Sequence, residues 1–394
     1  MPAPEKTKVL ALRFVILLSL VSLASDIVYE GARSVTGPFL AELGASAIVV
    51  GTVSGLGEML GYGLRLVSGW LSDKSKKYWT ITIIGYVINL LAVPALALAN
   101  NWPTAALFLN CERAGKAVRT PARDVMLSGA GEKVGTGFAF GLHGALDQVG
   151  AVLGPLLVAY VIYLRLGVRF SFLLLLIPAI AALTLLFAAR FFYPKPEELA
   201  AGPQLGQATD LSRAFWLYLV ATSFMAAGYI DFPLIAYHLN RQAIINQSLI
   251  PIFYSLAMAT EAVGSFFFGK LFDRFGVWLM TPVFFAAIFL APLLFLGHSP
   301  IICLAGMALW GICMGAQASI MKAAIASMVP ASRRGSAYGL FGLTFGVAWF
   351  SGSVVLGYLY DRAPNLMILF SLFCQLIAFL VFLGFWQTQR RKAQ

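Results

Sequence analysis

Gly69-Trp-Leu-Ser-Asp73-Lys-Ser-Lys-Lys77 and Gly269-Lys-Leu-Phe-Asp273-Arg-Phe-Gly276 are the two stretches from which the fold is read. The second begins 200 residues after the first, and the same shift aligns Arg13 with Arg213, Tyr29 with Tyr229, Gly115 with Gly315 and Gly135 with Gly335. Glycine is common, so any single match is weak. One register held over four separate elements predicts two parallel copies of one unit. Each copy of the stretch closes a hydrophobic run and opens a charged turn, which is how a chain leaves a membrane.

The composition agrees. Of 394 residues, 60% are hydrophobic and 11% charged, against about 25% charged in an average soluble domain. A water-soluble enzyme fits this composition poorly. The four cysteines form no CxxC or Cys/His cluster, so neither a disulfide framework nor a structural metal is expected. Runs of about 20 apolar residues, the length that spans a bilayer, occur at 10–40, 46–71, 79–99, 103–127, 135–163 and 169–192. Six more follow at 213–239, 247–271, 278–297, 300–328, 336–360 and 366–387. The expectation is an all-α polytopic membrane protein of twelve helices: a six-helix half at 1–192, a linker at 193–212 rich in Pro, Gly and Gln, and a second half at 213–394. Lys6, Lys8 and Arg13 before Phe14–Ala24 imitate a signal peptide. Asp26, Tyr29 and Glu30 follow at once and spans recur throughout, so 10–40 reads as an uncleaved first span.

Loop charge sets the orientation. With the N-terminus inside, 19 of the 28 Lys and Arg fall in inner segments and only Arg165, Arg169, Arg241 and Arg362 in outer ones. Arg33, Arg65, Arg113, Lys116 and Lys322 lie within spans. This asymmetry is the positive-inside rule. The net charge of +11 is therefore a topology signal, and no nucleic-acid partner is expected. Both termini are expected in the cytoplasm of a prokaryote, the chain embedded in the inner membrane as a monomer.

The doubled stretch resembles the loop signature GxLxDRxGRR of the major facilitator superfamily, placed after the second span of each half as in that family. Arg113-Ala-Gly115-Lys-Ala resembles its fourth-span Arg motif, and Gly150-Ala-Val-Leu-Gly154-Pro155 the fifth-span GxxxGP run of its proton-driven exporters. Ser75 departs from the family's Gly, and the second loop lacks trailing bases. The resemblance implies alternating access and a gating role for Asp73, Lys74, Arg123, Asp273, Arg274, Gly150, Gly154 and Pro155. In physical terms, a carboxylate beside a helix N-terminus is stabilised by the helix dipole. Asp73 could thus meet the start of span 11 near Gly335, and Asp273 that of span 5 near Gly135.

Charge inside the spans marks the site. Asp26, Glu30 and Arg33 are spaced four and three residues apart on span 1, hence on one face. Glu58 and Arg65 lie on span 2, Glu112, Arg113 and Lys116 on span 4, His143 and Asp147 on span 5, and Asp231, Glu261 and Lys322 in the second half. Spans 3, 6, 9 and 12 have none away from their ends. A charge at the bilayer centre costs at least about 2.5–3.5 kcal/mol, so those four are expected to face lipid and the rest to surround a polar cavity. Glu58 with Arg65, and Arg123 with Asp124 or Asp73, read as structural pairs. His143 with Asp147 has metal-ligand spacing but no third ligand, so a packing pair or relay is expected and no metal. Asp26, Glu30, Arg113 and Asp147 are the expected proton-coupling residues, Arg113 facing Asp26. The cavity is expected to be lined by Tyr29, Arg33, Glu58, Glu112, Lys116, His143, Tyr229, Asp231, Glu261, Trp310 and Gln317.

The expected function is secondary active transport of a small solute, above all proton-coupled export of a small organic compound, with the proton as coupling ion and no cofactor. Uptake, or export of an anion or metal chelate, is the alternative suggested by the basic run Arg113, Lys116, Arg119 and Arg123. A receptor is disfavoured by the doubled loop, and a membrane-embedded enzyme by the lack of any nucleophile–base or nucleotide-binding motif.

Overall fold

A computed structural model describes residues 5–194, 212–329 and 334–393, with the side chains at 5–7, 273, 322, 326, 334–336 and 386–393 outside the described set. Most of the linker, and the side chains of Asp273 and Lys322, therefore lie outside the described residues.

Twelve helical passages follow in chain order, and no strand occurs among the described residues. The first six are α1 (Glu5–Arg33) with α2 (Thr36–Glu42), α3 (Ala47–Ser75), α4 (Tyr78–Ala95), α5 (Trp102–Val134), α6 (Thr136–Tyr163), and α7 (Val168–Leu174) with α8 (Leu176–Phe192). The second six are α9 (Arg213–Gly228) with α10 (Phe232–Arg241), α11 (Leu249–Phe275), α12 (Met280–Ala287) with α13 (Leu290–Phe295), α14 (Pro300–Met328), α15 (Arg334–Arg362) and α16 (Pro364–Ala393). Eleven of the passages are long and apolar enough to cross a membrane. The exception is α5, whose middle carries Glu112, Arg113, Lys116, Arg119, Arg123 and Asp124.

Where the passages start and break follows local chemistry. Asn101 caps α5 by accepting the Thr104 N–H at 2.9 Å, and Ser212 caps α9 through Phe215 N–H at 3.2 Å. Span 4 runs on to Val134, past the 127 expected from hydropathy, and turns into α6 at Gly135, whose φ of +106° suits glycine. The sequence also predicts unbroken spans at 10–40 and 213–239. Both are interrupted, the first between Arg33 and Thr36, the second at Tyr229–Asp231. In the second break the Asp231 carboxylate restarts the helix by accepting the Phe232 N–H at 2.9 Å.

The chain packs as two compact units, one of residues 1–35 with 63–203, the other of 36–62 with 204–394. The segment 36–62 thus belongs by packing to the unit that holds the second half of the chain.

In the first unit α1 lies against α6 and α8, and α4 against α5. Gly154 sits on the α1 backbone at Ile27 and Gly31, and Gly150 on Leu23 and Asp26. The Gly150–Gly154 run is therefore a close-packing seam. In each unit the loop-signature glycine faces the corresponding helix: a methyl added at Gly69 would meet Pro121 of α5 at 3.6 Å, and one added at Gly269 would meet Ser319 of α14 at 3.8 Å. The 200-residue register survives in three dimensions. Outward faces of the charge-free spans are apolar, with Ile84 and Ile88 on α4, Ile177 and Phe187 on α8, Phe285 on α12, and Phe373 and Leu380 on α16 exposed. A lipid surface accounts for them.

Candidate functional site

The first unit assembles a buried charge cluster from α1, α5 and α6. Asp26, Tyr29 and Glu30 share one face of α1 and are 8%, 3% and 9% exposed, so what they meet decides the chemistry. The Tyr29 ring is its centre. Lys116 Nζ lies 3.6 Å from the ring centroid, Arg113 4.9 Å and Arg33 6.0 Å, each drawn by the negative ring face. Arg33 also donates to the Tyr29 hydroxyl at 2.8 Å.

The charged groups acting on Asp26 are Lys116 first, then Asp147, Arg119 and Arg123. Sequence reasoning set Arg113 opposite Asp26; the structure sets Lys116 there, one turn further along α5. Arg113 keeps company with Tyr29 and with Glu112, whose Oε2 is 3.8 Å from its Nε. The cause is that α1 and α5 run in opposite senses, so the earlier residue of one meets the later residue of the other. The Lys116 ammonium acts electrostatically on both Asp26 and Glu30.

The remaining charged members have partners of their own. Glu112, expected in the cavity, faces α4, where Asn89 Nδ2 donates to its Oε1 at 2.6 Å and to its carbonyl at 3.0 Å. Arg123 is held by Asp124, Nη2–Oδ1 2.8 Å, and donates to Ser22 Oγ at 3.3 Å. Asp73, the other partner considered, is exposed at the end of α3. Arg119 is 1% exposed and lies over the Tyr86 ring at 4.1 Å. His143 and Asp147 are a pair at 3.7 Å on α6. Among the described residues no three His, Cys, Asp or Glu side chains converge on a metal site.

The second unit places aromatic residues at the α9–α10 break. Tyr229 donates to the Trp310 carbonyl at 3.0 Å, and Trp310 Nε1 donates to the Ile230 carbonyl at 2.9 Å, a reciprocal lock between the break and α14. Gln317 lies close to Tyr229. Trp349 lies 5.4 Å from the Tyr229 ring, and Phe345 and Tyr62 continue the row. Two buried donors, Gln317 Nε2 and Trp349 Nε1, have no hydrogen-bond partner among the described residues. Asp231 is the cap of α10, Glu261 lies where α11 crosses Gly315 of α14, and Glu58 lies on α3. Arg274 lines a separate cavity of about 620 Å³ with Ser212, Trp278, Ser327 and Phe385. Lys74 stacks on Trp70 at 4.8 Å.

Sequence reasoning missed Asn89, Tyr86, Ser22 and Trp349. Asn89 and Tyr86 lie on a span without charge, and a count of ionisable groups does not see neutral polar partners.

The profile of the Major Facilitator Superfamily matches this chain over residues 18–353 and 217–394. An uncharacterized protein of Mycobacterium tuberculosis is 36% identical over 375 residues, covering 93% of this chain and 91% of that one. An uncharacterized MFS-type transporter of Methanocaldococcus jannaschii is 26% identical over 386 residues, covering 94% of each. Among solved structures, a peptide transporter in complex with sulfate superposes with a TM-score of 0.77 at 14% identity, covering 96% of this chain and 94% of that one. An inward-facing bacterial homologue of the lysosomal transporter Spinster gives 0.72 at 14% identity, covering 96% of each chain. The chain belongs to the major facilitator superfamily.

Proposed function

We propose that this membrane transporter is proton-coupled, and that Asp26 carries the proton. The observation behind this reading is the seat of one lysine, Lys116, on the face of Tyr29 at 3.6 Å, where its charge acts on both Asp26 and Glu30. Two carboxylates so close in a low-dielectric setting resist joint ionisation, and a neighbouring ammonium opposes that resistance. A solute that draws Lys116 away leaves Asp26 to take a proton; return of Lys116 expels it. Protonation and solute binding are then linked through one side chain, with no cofactor. Export of a small organic compound is the direction favoured by the Gly150–Pro155 run, and the aromatic row around Tyr229, with Gln317 and Trp349 as donors, supplies the apolar contact surface.

A second reading is specific to the cations. Arg33, Arg113 and Lys116 around one ring suit a solute bearing a negative group, which would travel with the proton instead of against it.

Proton flux and solute flux in liposomes reconstituted with wild-type and Asp26→Asn protein test the proposal. Loss of proton-driven transport with solute exchange retained supports it. Full proton coupling in a well-inserted Asp26→Asn protein removes Asp26 from the role. Solute and protons moving the same way selects the second reading.

A further inference from the structure

We infer that Asp361 is a gate latch: its carboxylate closes the end of the bundle opposite the chain termini by capping α3. This rests on the alternating-access reading and adds a part that the loop signature does not supply. Asp361 lies in the last turn of α15. Its Oδ1 accepts the Ala47 N–H at 3.0 Å and its Oδ2 accepts the Ile48 N–H at 2.9 Å. These are the first two backbone donors of α3, which have no acceptor within their own helix. The carboxylate also meets the positive end of the α3 dipole, and Arg241 Nη1 stands 3.9 Å away.

Below the cap the two helices touch through a seam of small residues. Gly51 of α3 sits on the Ser353 carbonyl, Gly55 faces Ser353 Cβ, and Gly357 of α15 sits on Ala47 and Ile48. No added methyl fits at Gly51 or Gly357. At the same end the Gln247 amide donates to Glu42 at 2.9 Å, and Gly37 of α2 packs on Pro233 and Tyr237 of α10. These contacts put 36–62 in the unit that holds the second half of the chain.

The placement has a logic of its own. Helices α3 and α15 run in opposite senses where they meet, so the last turn of α15 lies at the end where α3 begins, and opening that end breaks the cap.

Double electron–electron resonance between spin labels at Ser46→Cys and Asn365→Cys, in a background without the four native cysteines, reads the closed population. Asp361→Asn keeps the shape but turns an amide donor toward one of the two N–H groups. It is expected to shift the closed-to-open ratio about 3- to 30-fold toward open, the range for loss of a helix cap. Gly357→Ala weakens the same seam without touching the carboxylate and should shift the ratio the same way. Asp361→Glu, which keeps the charge, should recover part of the wild-type ratio. Two populations in wild type that neither Asp361→Asn nor Gly357→Ala moves overturn the latch and leave alternating access standing. One population in wild type, unchanged by pH and by both variants, overturns both.

Discussion

Gly154→Ala should cost stability, while Gly144→Ala on the same helix should not. Both replace glycine by alanine in α6, and the gain in helix propensity is the same, about 1 kcal/mol in a helix interior. Their surroundings differ. Nothing lies within 4 Å of a methyl added at Gly144, whereas one added at Gly154 comes 2.8 Å from Gly31 N and 3.0 Å from the Ile27 carbonyl carbon. Ordinary contact requires about 3.5–4.0 Å, so α1 and α6 must part by about 1 Å. The obstacle is backbone, which cannot rotate away as a side chain can. Overpacking of this kind costs about 1–3 kcal/mol. Set against the propensity gain, Gly154→Ala should be destabilised by up to about 2 kcal/mol and Gly144→Ala neutral or slightly stabilised. The same parting carries Asp26 away from α5 and α6, because the neighbouring seam residue Gly150 has Asp26 Cβ 3.1 Å from its own added methyl. Thermal unfolding of both proteins in one detergent, with proton-driven flux in liposomes, is the assay. Equal melting temperatures for the two variants would refute the seam, and unchanged proton coupling in Gly154→Ala would refute its link to Asp26.

Further expectations concern the cluster and the topology. Asn89→Leu removes the donor to the buried Glu112 carboxylate and should cost about 1–3 kcal/mol; an unchanged melting temperature contradicts the pairing. Lys116→Met should depress proton-driven transport at least about tenfold, an effect of about 1.4 kcal/mol, and more than Arg113→Met does. Equal losses would return the pairing role to Arg113. A cysteine at Gln204, in the linker, should resist impermeant thiol reagents in intact cells and react after lysis, as the Lys and Arg distribution requires; labelling from outside overturns that orientation.

The twelve-passage architecture was legible because hydropathy and a 200-residue repeat both report on burial in lipid, which acts on whole segments. The break at Tyr229–Asp231 was not, since Tyr229 and Ile230 keep the segment apolar through it. The cluster was legible in membership and illegible in pairing. Asp26, Tyr29, Glu30, Arg113 and Lys116 stand out as charges or aromatics on two spans, yet a shift of one turn decides whether Lys116 or Arg113 reaches Asp26, and boundary errors of a few residues exceed that turn. Glu112 shows a second limit. Spacing places a residue on a helix face, but which neighbour covers that face is a matter of packing, and here it is Asn89 of α4. Asp361 drew no notice because a carboxylate in the last turn of a span resembles ordinary loop charge until its acceptor geometry on Ala47 and Ile48 is seen.

The repeat also separates inherited position from acquired chemistry. Tyr29 and Tyr229 are the same site in the two copies, and both are almost wholly buried. Tyr29 is surrounded by Lys116, Arg113 and Arg33. Tyr229 is surrounded by Trp310 and Trp349, and its hydroxyl donates a hydrogen bond to a backbone carbonyl. A buried phenol needs a hydrogen-bond partner and something to cover its ring, and the two halves meet that need in opposite ways, one with charge and one with aromatic surface. Charge responds to protons and aromatic surface does not. Under the proposed mechanism the first copy is therefore the half that senses the proton, and the second the half that offers an apolar solute a surface. Substitutions that alter coupling should gather around Tyr29, and those that alter solute preference around Tyr229.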